Sequence, residues 1–302
     1  IYYLAFLYAW KLRGLAKDCD VVHSLVEPYS VIAFFLSLFT RKRYFITAHG
    51  TFGVFPYTLN FLKRSLHHLS FSMADKIFCV SRYTENRLRE FNLSNLEVVN
   101  NGIDMNRFPA YAEELLKENV IVTVGALNPA KGLDVALRAV SLLGSRINFK
   151  YLIVGKPSSD KYFKSLKDQV VTLGIEDKVH FLGQVGDKEL IDLYLRSKVF
   201  LLPSVNIGSD FEGFGLVYLE ANACGLPVIG SFGTGAEDAI RDGITGILVP
   251  QNNPNAISVA LEKILCDEKT RINMGRVGRI WAEKCDWSIV CLKYIGFYGE
   301  EN

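Results

Sequence analysis

Short apolar runs alternate with longer amphipathic ones along nearly the whole chain, and that alternation leaves few folds open. Residues 20–24, 44–48, 76–80 and 96–99 read as strands, with helical stretches starting near Pro28, Tyr57 and Arg82 between them. A second series follows at 120–125, 149–155, 179–182, 199–202, 228–230 and 246–249, again with helices between. Strands that are apolar at consecutive positions have both faces covered, as in a parallel sheet with helices on either side. The chain is therefore predicted to be α/β and doubly wound, with ligands at the carboxyl ends of its strands.

The alternation is broken once. Asn100-Asn101-Gly102-Ile103-Asp104 is a run of turn formers, and the polar, strand-free stretch 107–119 follows it. This divides the 302 residues into a first domain at 1–108, a linker at 109–118 and a second domain at 119–284, with a closing helix in 285–302. Residues 1–17 read as a further helix, and the long amphipathic helix of the first domain is predicted over 57–73.

Composition rules out several classes of function. Apolar residues make up 49% and charged residues 22%, which suits a buried core and not a disordered chain. The net charge of +2 is too small to argue for nucleic acid. It is unevenly placed: 13 Lys/Arg against 8 Asp/Glu through Arg107, then 21 against 24. A basic first half faces either solvent or an anionic surface. The six cysteines show no CxxC or metal-ligand spacing and read as reduced core residues. Residues 1–10 and 31–39 are strongly apolar but too short to cross a bilayer.

Chemistry concentrates at 209–229, Ser-Asp-Phe-Glu-Gly-Phe-Gly-Leu-Val-Tyr-Leu-Glu-Ala-Asn-Ala-Cys-Gly-Leu-Pro-Val-Ile. Glu212 and Glu220 stand eight positions apart, with Gly213-Phe214-Gly215 opening a helix between them. A glycine-bracketed helix start leaves backbone N–H groups free and directs the helix dipole at an anion such as phosphate. Two acids beside a phosphate make electrostatic sense when the ligand also carries hydroxyls or developing positive charge. A nucleotide-sugar has a diphosphate, a ribose and a hexose. Taken alone, the acid pair is equally an acidic cap followed by a solvent-facing Glu.

This stretch resembles the Glu–x7–Glu segment of the retaining glycosyltransferases of family four. Asn101–Asp104 is similar to the turn that closes that family's first domain, and Ser231–Glu237 to its later glycine-rich turn. The resemblance spans about 20–298. It implies a GT-B fold, two Rossmann-like doubly wound domains facing across a cleft, with the first domain truncated because the family's opening strand and glycine-rich loop do not precede Ile1. It also implies that Glu212 lies by the transferred sugar, that Glu220 holds the ribose, and that Phe214 and Gly215 offer N–H groups to the diphosphate. The closing helix would cross back onto the first domain.

Other positions are weighed in the same way. Lys131 follows the strand-end Gly125 and is either a diphosphate cation or a solvated lysine; the family's Arg directly after that glycine is Ala126 here. His49 ends a strand, where it is either a hydrogen-bonded structural residue or, by resemblance, a group beside the reacting sugar. Ser81 reads as a helix N-cap with an acceptor contact in reach, and His23 as a weaker acceptor-side candidate. Gly155 and Gly183-Gln184-Val185 stand at strand ends where the base would sit.

The implied function is transfer of a hexose from a nucleotide-diphosphate-sugar to an acceptor hydroxyl with retained configuration, in polysaccharide, lipopolysaccharide or glycolipid synthesis. The alternatives are a GT-B-like nucleotide-sugar epimerase and a non-catalytic sugar-binding module. No cofactor is expected beyond the donor itself, and no metal, since the fold that the resemblance implies rarely needs an ion for catalysis. The partners expected are the donor and a glycan or lipid-linked acceptor, with no nucleic acid. The location expected is cytoplasmic, peripheral on the inner face of the membrane.

Overall fold

A computed structural model describes residues 4–110, 117–144 and 146–299. In chain order it contains helix α1 (Ala5–Leu12), strand β1 (Val21–Ser24), α2 (Ser30–Thr40), β2 (Arg43–Ala48), α3 (Thr51–Val54), α4 (Phe61–Ser72), β3 (Lys76–Cys79), α5 (Arg82–Arg89) and β4 (Leu96–Val98). Then follow β5 (Val120–Val124), α6 (Leu133–Ser141), β6 (Lys150–Val154), α7 (Asp160–Thr172), β7 (Val179–Gly183), α8 (Asp187–Arg196) and β8 (Val199–Leu201). The last are α9 (Leu216–Ala223), β9 (Val228–Ser231), α10 (Ala236–Ala239), β10 (Gly246–Val249), α11 (Pro254–Cys266), α12 (Glu268–Lys284) and α13 (Trp287–Gly299).

The chain forms two compact units. The first holds the residues through Asn100, together with Gly208–Phe214 and the chain from Cys291 onward; the second holds Asn101–Ile207 and Gly215–Val290. The short piece 208–214 thus belongs with the first unit although it lies deep in the second unit's stretch of sequence. Of the linker assigned at 109–118, residues 111–116 lie outside the described residues, as do residues 1–3 of the first predicted helix.

The first unit is built on a parallel sheet in the order β1-β2-β3-β4. Every residue of β2 after Arg43 is buried, as expected for a strand covered on both faces. Phe34, Tyr44, Ile46, Phe71, Ile77 and Leu88 form its core, and Phe211 of the 208–214 piece packs with them. From α13, Tyr294 lies edge-on to Phe78 at 4.8 Å, and the Tyr298 ring packs 5.1 Å from Phe45.

The long helix predicted over 57–73 is shorter than the periodicity suggested. Residues Phe55–Thr58 form a 3-10 turn, Leu59 is extended, and α4 begins only after Asn60, whose side chain accepts from the Lys63 amide at 3.2 Å. An N-cap of this kind satisfies one of the amides that a helix start leaves open, and so fixes the boundary.

The second unit is a six-stranded parallel sheet, β10-β9-β8-β5-β6-β7. Its core joins Leu137 and Val140 of α6 to Ile121, Ile153 and Leu201 of the sheet and to Leu261 of α11. β5 sits between β6 and β8, so the chain runs outward from β5 in one direction and then, from β8, in the other. In open α/β sheets that reversal opens a crevice at the carboxyl ends of the two central strands, where ligands bind.

Among the described residues no disulfide joins any of the six cysteines. Only Cys79, Cys224 and Cys285 are buried; Cys19 and Cys266 are exposed and Cys291 is half-buried. The core reading holds for three of them; Cys19 lies in the exposed loop before β1, Cys266 ends α11 and Cys291 lies on α13. No helix among the described residues is long and apolar enough to cross a membrane.

Candidate functional site

The reversal between β5 and β8 brings two loops together. Gly125 ends β5 in an extended, positive-φ conformation (φ 156°), and the Lys131 side chain passes over it, its Cε 4.0 Å from where a Cβ on Gly125 would stand. Lys131 closes a 3-10 turn, Pro129–Lys131, and Gly132 then turns left-handed at φ 64° to start α6. A Cβ on Gly132 would stand 2.0 Å from the Pro203 carbonyl oxygen, so only glycine lets the β5 loop lie against the β8 loop. The Val205 amide donates to the Ala130 carbonyl at 2.8 Å and locks the two loops together.

Next to them, Gly155 and Gly183 continue the row of strand ends. The Gly125 amide donates to Val154 O at 3.0 Å and the Gly155 amide to Gly183 O at 2.7 Å. Val185 follows as a half-buried residue on the loop before α8.

Helix α9 opens on Gly215, left-handed at φ 84°, a residue with no side chain of its own to cap the first turn. Its leading amides are therefore the kind of anion site that a helix start provides. Glu220 lies one turn in. The Tyr194 hydroxyl donates to its Oε2 at 3.2 Å, and burial raises the Glu220 pKa against the opposing pull of that hydrogen bond and of Arg107. Burial also keeps the Tyr194 phenol protonated, as a donor to Glu220 requires.

The remaining acids and histidines belong to the first unit. Glu212 and Phe214 are buried in the 208–214 piece, which rests on the end of β2: a Cβ on Gly213 would stand 1.8 Å from the His49 carbonyl oxygen. His49 is exposed and its Nε2 lies 2.9 Å from the Leu25 carbonyl, so Nε2 carries the proton. Nδ1 makes no hydrogen bond among the described residues.

His23 is engaged on both ring nitrogens, by the Tyr298 hydroxyl and, at 2.9 Å, by Thr47 Oγ1. Burial, aided by His49, lowers its pKa to about 4. Ser81 is fully buried and accepts from the Thr84 amide at 3.0 Å, which makes it the N-cap of α5. Among the described residues, no group of three or more His, Cys, Asp or Glu is placed to hold a metal.

One residue of this region had no sequence signal strong enough to find it. Glu27, in the 3-10 turn before α2, is 2% exposed, and its Oε1 accepts from the amides of His49 (2.5 Å) and Gly50 (2.9 Å). It fixes the backbone that carries His49. An acid before a proline at a helix start reads as an ordinary cap, and only the fold shows that it reaches the end of β2.

Two parallel α/β units, the second with its reversal point ringed by glycine turns and a lysine, define a protein of the GT-B class. The same fold is seen in Anabaena HepE in complex with UDP and glucose, with a TM-score of 0.82 and 19% identity over 96% of this chain and 80% of that one. The family described as glycosyl transferases group 1 matches residues 106–281, and that described as Glycosyltransferase Family 4 matches 1–107. The chain belongs to the glycosyl transferases group 1 family.

Among curated relatives, it is 34% identical over 223 residues to a GDP-mannose-dependent alpha-(1-6)-phosphatidylinositol monomannoside mannosyltransferase of Mycolicibacterium smegmatis, covering 69% of this chain and 58% of that protein. It is 33% identical over 189 residues to a D-inositol 3-phosphate glycosyltransferase of Corynebacterium glutamicum, covering 61% and 44%. The chain thus spans well under two thirds of the length of both.

Proposed function

We propose that the protein transfers a hexose from a nucleotide-diphosphate-sugar to an acceptor hydroxyl, with retention of anomeric configuration. The observation that carries this reading is the β5–β8 reversal point, where Gly125 and Lys131 stand at the ligand-binding end of the sheet. Relatives named as mannosyl- and glycosyltransferases support it, as does the HepE complex with UDP and glucose.

In this reading Lys131 and the amides of Phe214 and Gly215 take the diphosphate, Glu220 the ribose hydroxyls, and Val185 borders the base. Glu212 and His49 act at the transferred sugar; His23 and Ser81 support the acceptor side from within the fold. Residues 1–108 serve the acceptor, 119–284 the donor, with 109–118 linking them and 285–302 closing the chain. Catalysis rests on positioning and on stabilising the departing diphosphate and an oxocarbenium-like sugar. The leaving phosphate takes the acceptor's proton, so the reaction asks for no separate base and no cofactor beyond the donor. The acceptor is a glycan or a lipid-linked sugar of polysaccharide, lipopolysaccharide or glycolipid synthesis, met at the inner membrane face.

The test is a thermal-shift panel of UDP, GDP, ADP and their common sugar conjugates, followed by product analysis. A ligand at a hundredfold excess over its Kd stabilises the native state by about 2.7 kcal/mol, so one nucleotide should stand out. A flat panel would refute the donor site, and donor binding without turnover on any acceptor class would favour a binding module.

A further inference from the structure

A groove runs along α4, away from every residue assigned above. It measures about 780 Å³, and its walls include Tyr57, Phe61, Arg64, His68, Leu69 and Phe91. Tyr57 stacks on Phe91 with ring centroids 3.6 Å apart, and its hydroxyl lies 3.2 Å from His68 Nδ1. With the phenol donating to Nδ1, His68 Nε2 carries the ring proton and is an unused donor. Arg64, exposed on the next turn, forms no ion pair with a carboxylate among the described residues. Glu90, the acid in the groove wall, is taken by Arg87 at 3.5 Å.

The rim is as unusual as the floor. Phe61 is 81% exposed, Leu62 62%, Met73 55% and Leu69 44%. Helical spacing puts these four on one outward arc of the α4 segment with Arg64 and His68 at its margin. The helix contains no Asp or Glu. From Leu4 to Met73 the sequence carries 8 Lys/Arg and 3 Asp/Glu, and one of those acids, Glu27, is buried. Exposed apolar side chains are unfavourable in water, and a surface with more cations than exposed acids attracts anions. An interface that offers both hydrocarbon and phosphate satisfies the two at once.

We propose that this groove is a headgroup site for an anionic phospholipid. Phe61, Leu62, Leu69 and Met73 enter the bilayer interface, while Arg64 and His68 Nε2 take the lipid phosphate beside the Tyr57–Phe91 stack. The inference deepens the peripheral membrane contact proposed above and rests on it, but it does not depend on which sugar is transferred.

The test is co-sedimentation of the full chain with phosphatidylcholine vesicles, with and without phosphatidylglycerol. Wild type should bind only the anionic vesicles. Arg64→Ala should weaken that binding about fivefold, the value of one cation at such a surface, and Phe61→Ser should weaken it several-fold. Both side chains are exposed, so both variants should melt with wild type. Lys161→Glu on α7 serves as the control and should bind unchanged. If wild type binds anionic vesicles and both variants bind equally well, the contact lies elsewhere and the groove assignment is wrong while the membrane reading stands. If wild type ignores anionic vesicles, both fall. Saturation by soluble glycerol phosphate at the affinity seen for vesicles would give the groove to a soluble anion and overturn the lipid.

Discussion

Replacing Glu27 should unseat the end of β2 without touching the core of the second unit. The carboxylate is 2% exposed and spends one oxygen, Oε1, on the amides of His49 and Gly50. A hydrogen bond to a charged group contributes about 1.5–3 kcal/mol, so the pair is worth roughly 3–6 kcal/mol. The bond from the His49 amide is part-buried and that from Gly50 is buried, so water replaces the first acceptor more readily than the second. Glu27→Ala is therefore expected near the lower end, at about 3–4 kcal/mol. Glu27→Gln keeps a neutral oxygen in place and should lose about half as much.

Urea unfolding read at constant m separates a stability change from a change in the unfolded chain. A functional readout goes with it. His49 should lose its placement, so turnover should fall in the Gln variant while nucleoside-diphosphate affinity stays that of wild type. A Glu27→Ala protein within about 1 kcal/mol of wild type would show that the two amides find other partners, and the positioning argument would fail.

Three further outcomes are expected. Glu220→Ala should weaken nucleotide-sugar binding in a calorimetric titration, whereas Glu212→Ala should chiefly lower turnover; if neither changes, the donor is misplaced. Gly213→Ala puts a Cβ 1.8 Å from the His49 carbonyl oxygen, and should destabilise by about 1–3 kcal/mol as overpacking does, whereas Gly14→Ala, with nothing within 4 Å, should be silent in the same melt.

His67 supplies a pH dependence. Burial lowers its pKa from 6.5 to about 4, against the pull of its hydrogen bond to Gly53 O. The unfolded chain takes up the proton first, so the stability due to neutral His67 is complete above about pH 6.5 and drains away as pH falls towards 4. His67→Phe should lessen the slope of unfolding free energy against pH over that window, leaving the share of His23, whose pKa burial also lowers to about 4; an unchanged slope would assign the acid sensitivity to other groups.

Much of this architecture could be read from the residues alone. Consecutive apolar positions in 44–48 and 120–125 announced covered strands, and both became central strands of parallel sheets, β2 and β5. Lys131 and Gly125 lay at a strand end by spacing, and the fold puts one over the other. The start of α4 is hidden from the sequence because periodicity continues through Phe55–Thr58, while the boundary is set by one Asn60 side chain and one extended residue. Glu27 was illegible for a different reason. Its partners lie 22 and 23 positions on, and no local pattern reports a carboxylate reaching an amide across a strand crossover. The membership of 208–214 was equally hidden, since Phe211 looks like any aromatic in a loop until its core neighbours are known.

That seven-residue excursion bears on how such proteins can be recombined. A chimera that took its second unit from a relative as one stretch of sequence would bring the relative's own version of 208–214 along, and with it whatever stands at Phe211. The host's first unit would then receive a foreign side chain in the middle of its core. Swapping the second unit alone is thus also a core mutation in the first, and splicing at Gly208 and Phe214 to keep the host's piece is the way to separate the two effects.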